Sequence, residues 1–70
     1  MPSNAAKLRR LLTALHAASE PGQMNAPGYR LHQLKGDRKG QCAVWVNGNW
    51  RLIFAFDGEH AVNVDLVDYH

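Results

Sequence analysis

The dipeptide Asn47-Gly48 constrains the fold of this chain more than any other feature of its sequence. It separates two apolar stretches, residues 42–46 and 49–56, that are rich in β-branched and aromatic side chains. A type I′ turn needs a positive φ at both central residues, and Asn-Gly tolerates this well. The sequence therefore predicts a β-hairpin with Asn47 and Gly48 at the centre of its turn.

A third strand is predicted over residues 61–69, after the turn residues Asp57-Gly58. The length of this second turn decides which side chains of the strand face the core. A two-residue loop would place Asp65 among apolar side chains, and burying a carboxylate costs several kcal/mol. We therefore expect a three-residue loop. The core-facing residues of the strand are then Val62, Val64 and Leu66.

The predicted register also assigns the other side chains to the two faces of the sheet. Trp45 lies opposite Trp50 across the turn, so we expect both tryptophans on the core face. Arg51 then points away from the core and lies opposite Asp65, on a face shared with Ile53 and Asn63. The sequence therefore predicts one packed face and one polar, charged face.

Residues 3–18 are predicted to form an amphipathic helix that covers the packed face. Its apolar side chains recur at helical spacing and are Leu8, Leu11, Leu12, Leu15 and Ala18. The basic side chains lie elsewhere on the helix, where they face solvent or contact a phosphate. Ser3 or Asn4 can cap the start, and Pro21-Gly22 stops the helix. One helix followed by an antiparallel meander is an α+β fold with the helix packed on the sheet.

Two loops flank a further extended stretch, which is predicted over residues 29–34. Turn-forming residues occupy positions 21–28 before it. The second loop, residues 35–40, combines two glycines with three cations. A backbone that can adopt positive φ beside clustered positive charge is suited to holding a phosphodiester, although such loops are also common solvent-exposed turns.

Charge is distributed unevenly along the chain. Residues 1–56 hold all eight Lys and Arg residues against two acidic residues, a net charge of +6. Residues 57–70 hold four acidic residues and no Lys or Arg, a net charge of −4. This pattern fits charge pairing across a sheet, and it also fits a phosphate-binding surface with carboxylates beside it.

The length of 70 residues allows one domain, over positions 1–70, because domains typically have about 100–150 residues. The longest apolar run, residues 52–56, is far shorter than the ~20 residues of a membrane span. A single cysteine, Cys42, forms no intramolecular disulfide and suits a reducing compartment. We therefore expect a cytoplasmic protein with no membrane segment and no metal site.

Several residues can carry acid–base or phosphate chemistry. No serine or cysteine has a base at a spacing that indicates nucleophilic catalysis, and no P-loop or dinucleotide motif occurs. The remaining candidates are His32, Lys35, Arg51, Asp68, Tyr69 and His70. Each alone also fits an ordinary structural role, such as a surface histidine or an ion-paired arginine. Together they suit cleavage of RNA by its own 2′-hydroxyl, which needs a base, an acid and cations.

Three blocks of the sequence, residues 29–40, 46–54 and 64–70, closely resemble the HigB-type killer toxins of the RelE/ParE superfamily. The strings LHQLKGDRKG, NGNWR and VDYH carry the resemblance, and the blocks occur in the family's order and spacing. The resemblance implies a ribosome-dependent mRNA endonuclease that needs no cofactor. It also implies a plasmid-maintenance role and neutralisation by a helix-turn-helix antitoxin of the HigA type.

The resemblance also implies roles for individual residues. His32 and His70 would act as base and acid in an undetermined order, with Arg51 stabilising the phosphate. Asp68 would orient a histidine, and Tyr69 would stack on or orient a base. The residues implied to bind RNA phosphates are Arg30, Lys35, Arg38 and Lys39.

The sequence departs from the family pattern at its start and at two positions. Family members usually carry a strand and a helix ahead of the Leu-rich helix, so we expect a shortened toxin-like domain with an unpaired sheet edge. Gln33 stands where proline is frequent, and Asn47 stands where some members have arginine. The unpaired sheet edge expected from the shortened start favours a homodimer. Two alternatives remain open, namely a non-catalytic module that binds an antitoxin or itself, and a ParE-like gyrase inhibitor.

Overall fold

One helix and a four-stranded antiparallel sheet make up the fold in the computed structural model, which describes residues 5–38 and 40–68. The elements in chain order are α1 (Ala5–Ala17), β1 (His32–Gln33), β2 (Gln41–Asn47), β3 (Trp50–Asp57) and β4 (His60–Asp68). Short 3₁₀ turns occupy Pro21–Met24 and Gly36–Arg38. The strand order β1-β2-β3-β4 is that of a meander, which confirms the predicted α+β architecture.

Helix α1 covers one face of the sheet with a narrow apolar stripe. Leu11 and Leu15 are buried and Leu8 is partly buried, as predicted, but Leu12 is 43% exposed. The prediction for Leu12 is wrong because a helix lying on one sheet buries a single stripe, and Leu12 is turned about 100° from Leu11. The predicted caps Ser3 and Asn4 lie outside the described residues. No helix in the described ranges is long and apolar enough to span a membrane.

The main core lies between α1 and the sheet. Phe54 is fully buried at its centre and meets the half-buried Phe56 edge-on, with ring centroids 6.0 Å apart. The other buried members of the cluster are Leu11, Leu15, Ala18, Met24, Cys42, Val44, Val46 and Leu52. Residues from the helix, the first 3₁₀ turn and two strands therefore share one apolar interior.

A second, smaller apolar cluster lies on the opposite face of the sheet. Ala43 and Ile53 are fully buried there beneath Leu34, and Val67 packs against them. Ile53 was expected on a polar, charged face. That expectation is wrong in part, because the segment after β1 places Leu34 over the sheet.

The β2–β3 hairpin forms where the sequence predicts it, but with a different turn. Asn47 pairs with Trp50 and Trp45 pairs with Arg51, so Gly48 and Asn49 are the central residues. Gly48 has a φ of 55°, and Asn49 has no positive φ. A bulge at Val46 allows both Val44 and Val46 to be buried.

The predicted pairing of the two tryptophans is therefore wrong. Trp50 packs against the main core, whereas Trp45 pairs with Arg51 and lies on the other side of the sheet. The bulge causes this difference, because it shifts the register by one residue between the turn and the rest of the strand.

The β3–β4 connection has two central residues, Gly58 and Glu59, because Asp57 pairs with His60. The expected three-residue loop is therefore wrong. The change of parity comes instead from a bulge, in which Asn63 and Val64 lie opposite the single residue Phe54.

Of the three β4 residues predicted to face the core, Val62, Val64 and Leu66, the bulge places only some there. Leu66 pairs with Leu52 and packs against the main core, as expected. Val62 instead pairs with Ala55 on the opposite face, and Val64 is 43% exposed beside α1. The same register pairs Arg51 with Val67 and Ile53 with Asp65, which corrects the expected Arg51–Asp65 pair.

Strand β1 is shorter than the extended stretch predicted over residues 29–34. Arg30 has a φ of 54°, in the left-handed region, which interrupts an extended backbone. The N–H of Trp45 nevertheless donates to the carbonyl of Tyr29 at 2.6 Å, and the N–H of Leu34 donates to the carbonyl of Gln41. The segment therefore follows β2 on both sides of a two-residue strand.

Asn63 provides a test of the bulge, since it is exposed and has a φ of 54°. We expect Asn63→Val to lower the free energy of unfolding by about 1–2 kcal/mol, because a β-branched residue is strained in this conformation. Asn63→Gly removes the strain and serves as the control, with a change of under about 0.5 kcal/mol. Urea unfolding measures both variants. Equal stability of the valine variant and the wild type would contradict the bulge.

Candidate functional site

The sheet face turned away from α1 carries two of the predicted site residues. His32 pairs with Ala43 on β2, and Ala43 pairs with Ile53 on β3. Trp45 and Arg51 form the adjacent pair on the same face. We call this surface the open face and define it by His32, Trp45 and Arg51, which lie around the buried second cluster of Ala43 and Ile53. Arg51 therefore points away from the main core, as the sequence predicts.

The imidazole of His32 is exposed on β1. Its Nδ1 lies 3.2 Å from the carbonyl oxygen of Arg30. When Nδ1 carries the proton, it donates to this carbonyl and Nε2 becomes an acceptor. The local backbone can thus hold His32 in the tautomer that a general base requires.

The guanidinium of Arg51 is fixed by the hairpin turn beside it. Nη1 donates to the carbonyl of Gly48 at 3.0 Å and to the carbonyl of Trp50 at 3.1 Å. The indole Nε1 of Trp45 donates to the same Gly48 carbonyl at 2.9 Å. Both bonds of Arg51 use Nη1, so within the described part of the chain Nη2 and Nε remain to bind an anion.

Two cations, Lys7 and Arg30, lie over the indole ring of Trp45. The sequence did not predict this contact. The Nζ of Lys7 lies 4.1 Å from the ring centroid, and the Cζ of Arg30 lies 4.4 Å from it. Burial lowers the pKa of Lys7, and the positive charges of Arg30 and Arg10 lower it further. The three residues come from separate segments, so no local sequence pattern indicates that they meet.

The glycine-flanked loop follows β1 at the end of the sheet away from the β2–β3 turn. Gly36 and Gly40 have φ values of 68° and 94°, which is the positive φ that the sequence analysis anticipated. Lys35 is exposed, and Arg38 ends the second 3₁₀ turn. Lys39 lies outside the described residues. Lys35 therefore adds an exposed cation to the chain just after β1, which carries His32.

Of the three carboxyl-terminal candidates for catalysis, Asp68, Tyr69 and His70, only Asp68 lies among the described residues. Asp68 is exposed at the end of β4 and pairs with Trp50, so it lies on the α1 side of the sheet. Arg51 and His32 lie on the other side. Tyr69 and His70 are outside the described residues. Among the described members of the predicted catalytic set, the fold thus brings His32 and Arg51 onto one face and places Asp68 on the opposite one.

Cys42 packs in the main core, where burial raises the pKa of its thiol. The thiol therefore stays neutral near pH 7, and a neutral thiol is a poor nucleophile. Within residues 5–38 and 40–68, no group of three His, Cys, Asp or Glu side chains is placed to hold a metal ion.

An apolar groove lies between α1 and β4, on the other side of the molecule from the open face. It is lined by Leu12, Leu15, His16, Ala61 and Val64. Leu12 and Val64 are the large apolar side chains exposed in the described ranges, each at 43%. β4 is the last strand of the sheet, and β3 is its one neighbour among the described residues.

A helix packed on a four-stranded antiparallel meander is an α+β fold consistent with RelE-like toxins. Residues 1–70 match the family described as "RelE-like toxin of type II toxin-antitoxin system HigB". The chain therefore belongs to the HigB-like family of RelE-like toxins.

Two relatives show how much of the family's length the chain covers. It is 42% identical over 59 residues to Endoribonuclease HigB of Proteus vulgaris, in a match covering 84% of this chain and 64% of the relative. It is 38% identical over 60 residues to Toxin HigB-1 of Vibrio cholerae serotype O1, covering 84% and 63%. The chain thus spans a little under two thirds of the length of these relatives.

Proposed function

We propose that this chain forms a single toxin domain of a type II toxin–antitoxin system and cleaves mRNA on the ribosome. The observation that carries the proposal is the placement of His32 and Arg51 on one sheet face in a chain of the HigB-like family. The name of the Proteus relative, an endoribonuclease at 42% identity, supports it.

The proposed reaction is transfer of a phosphodiester to the neighbouring 2′-oxygen. A base removes the proton of the 2′-hydroxyl, and the oxygen attacks phosphorus. The bond from phosphorus to the 5′-oxygen breaks, and an acid returns a proton to that oxygen. The products are a 2′,3′-cyclic phosphate and a 5′-hydroxyl. His32 serves as base or acid, and Arg51 stabilises the negative charge on the phosphorane.

The remaining candidates complete the proposed site. His70 supplies the second imidazole, Asp68 orients a histidine, and Tyr69 stacks on or orients a base. The phosphate-binding set comprises Arg30, Lys35, Arg38 and Lys39. Backbone amides and positive φ in the loop of Gly36 and Gly40 support phosphate binding there.

Primer extension on translating ribosomes tests this proposal. We expect the purified protein to produce new mRNA 5′ ends that depend on ribosomes, and His32→Gln to reduce them. His32 is exposed, so this variant should unfold at the same temperature as the wild type. Unchanged mRNA in the presence of folded protein and ribosomes would refute the proposed activity.

The proposed partner is a helix-turn-helix antitoxin of the HigA type. It is encoded beside the toxin in type II systems that resemble this one, and it would bind this chain in the cytoplasm, where the ribosomes are. A complex of fixed stoichiometry in size-exclusion chromatography would test this pairing.

A second candidate function is a self-associating or antitoxin-binding module without catalysis. The observation that favours it is the groove beside β4, where Leu12 and Val64 are each 43% exposed. An apolar groove next to a strand edge is suited to pairing between protein chains. Activity on ribosomes distinguishes this candidate from the nuclease.

Sedimentation equilibrium tests the self-association. We expect the wild type to form a dimer through the β4 edge, and Val64→Lys to shift it toward monomer, because the charge lies in the contact. Ala17→Lys is the control, since it adds the same charge to the exposed end of α1 outside the groove. A wild type that stays monomeric at high concentration would contradict the dimer.

A further inference from the structure

Lys7, Arg30 and Trp45 form a cluster beside Arg51, where the side chain of Lys7 reaches the indole ring from α1. Lys7 comes from α1, Arg30 from the segment before β1, and Trp45 from β2. Both cations lie over the indole ring, at 4.1 Å and 4.4 Å from its centroid. The ring attracts cations electrostatically, and this attraction holds two like charges near one another.

Hydrogen bonds fix the cluster in place. The indole Nε1 of Trp45 donates to the carbonyl of Gly48, and its backbone N–H donates to the carbonyl of Tyr29. The Nζ of Lys7 donates to the carbonyl of Gly28 at 3.3 Å. The two cations therefore do not have to be ordered when a ligand binds, and this preorganisation favours binding.

The charge of the cluster favours an anionic ligand. Burial lowers the pKa of Lys7, and the positive charges of Arg30 and Arg10 lower it further, so two like charges lie near this ammonium group. An anion bound beside Lys7 and Arg30 would offset the repulsion between their charges. Arginine also offers a planar fork of donors that matches a phosphate.

The cluster adjoins both described members of the candidate catalytic pair. Trp45 pairs directly with Arg51 across β2 and β3. The backbone carbonyl of Arg30 lies 3.2 Å from Nδ1 of His32. The segments that carry Lys7 and Arg30 therefore lie next to the surface that holds His32 and Arg51.

We propose that Lys7 and Arg30, held by Trp45, bind the phosphodiester backbone of single-stranded RNA next to the phosphate that is cleaved. The identity of the ligand rests on the proposed function. Trp45 is a positioning residue here, because its ring holds the cations. An acidic protein segment is the competing ligand, and continuity with His32 and Arg51 favours RNA.

Fluorescence anisotropy with a short oligouridylate carrying 2′-O-methyl groups tests the proposal, because this RNA cannot be cleaved through its 2′-oxygen. We expect Lys7→Gln to weaken binding by about tenfold. The slope of log affinity against log salt should fall by about 0.7 for one lost contact to a single strand. Arg9→Gln is the matched control, since Arg9 is an exposed cation of the same helix that lines a separate surface of α1.

The role of Trp45 has its own readout. The protein has two tryptophans, so two indole N–H resonances report on Trp45 and Trp50 separately. We expect the Trp45 resonance to shift more than that of Trp50 when the oligouridylate is added. Trp45→Leu should weaken binding as Lys7→Gln does, and Trp45→Phe, which keeps an aromatic face, should restore part of it.

The results of these experiments distinguish failure of the binding site from failure of the proposed cleavage activity. Equal effects of Lys7→Gln and Arg9→Gln, or no binding of the oligouridylate, would overturn the inference even if the wild type cleaves mRNA on ribosomes. Tighter, Lys7-dependent binding of a polyglutamate peptide would also overturn it. An inactive wild type that binds RNA through Lys7 would overturn the proposed cleavage and support the binding site.

Discussion

Replacing Arg51 by alanine is expected to lower ribosome-dependent mRNA cleavage by about 10²-fold or more. The Nη1 of Arg51 is held by the carbonyl oxygens of Gly48 and Trp50, which leaves Nη2 and Nε to bind an anion within the described part of the chain. A preorganised cation of this kind stabilises charge that develops in the transition state. Primer extension under single-turnover conditions measures the loss.

The fold should largely survive this change. Arg51 lies outside both apolar clusters, and its two hydrogen bonds contribute about 1 kcal/mol each. Losing about 2 kcal/mol should lower the melting temperature by about 8–16 °C, at about 4–8 °C for each kcal/mol. Arg10→Ala, which removes an exposed cation of α1, is the control for net charge. A folded Arg51→Ala variant that cleaves at the wild-type rate would refute the catalytic role.

Replacing Phe54 by alanine is expected to lower the free energy of unfolding by about 3–5 kcal/mol. The side chain is fully buried at the centre of the main core, so its removal leaves a cavity between α1 and the sheet. Chains of this length have a total stability of about 4–10 kcal/mol. Urea unfolding should therefore show a variant that is close to its threshold or unfolded at 37 °C.

Phe56 is the matched control for Phe54. It lies two residues further along β3, contacts the same ring edge-on, and is only partly buried. We expect Phe56→Ala to lower the free energy of unfolding by about 1–2 kcal/mol, because less apolar area is lost. Equal losses for the two alanine variants would contradict the position of Phe54 at the centre of the core.

The type and order of the elements followed from the sequence because each has a strong local signal. The spacing of Leu8, Leu11 and Leu15 is helical, and two Gly-containing turns separate apolar β-rich stretches. These signals depend on side chains that are near one another in the chain. The helix, the hairpin and the meander were therefore predictable, and the structure confirms them.

The strand register was not predictable to the residue, and two bulges explain why. Val46 and Asn63 each occupy a bulge, and each bulge reverses which face the following residues reach. A bulge is favoured when it improves burial elsewhere, here that of Val46 and Leu66. Such a gain depends on tertiary packing, which no turn dipeptide encodes.

In the candidate site too, features set by the local sequence were predictable and features set by tertiary packing were not. The sequence indicated that Arg51 points away from the core, and the alternation of side chains along one strand suffices for this. It did not indicate that Lys7 and Arg30 meet on Trp45, since that contact needs the helix to dock on the sheet. Trp45 was expected in the core because the predicted register placed it opposite Trp50, and the bulge at Val46 pairs it with Arg51 instead.

The meander order of the sheet has a consequence for how the protein folds. Every strand pairs with its neighbour in the chain, so each strand pairing closes only a short loop. Contact order is therefore low. The β2–β3 hairpin can form in about 1–10 μs, and each further strand then adds to an existing edge. That hairpin, residues 41–57, holds Trp45 and Arg51, and His32 lies on the strand that pairs with β2. We therefore expect the strands of the open face to form early in folding. Helix α1 then docks later and brings Lys7 to Trp45.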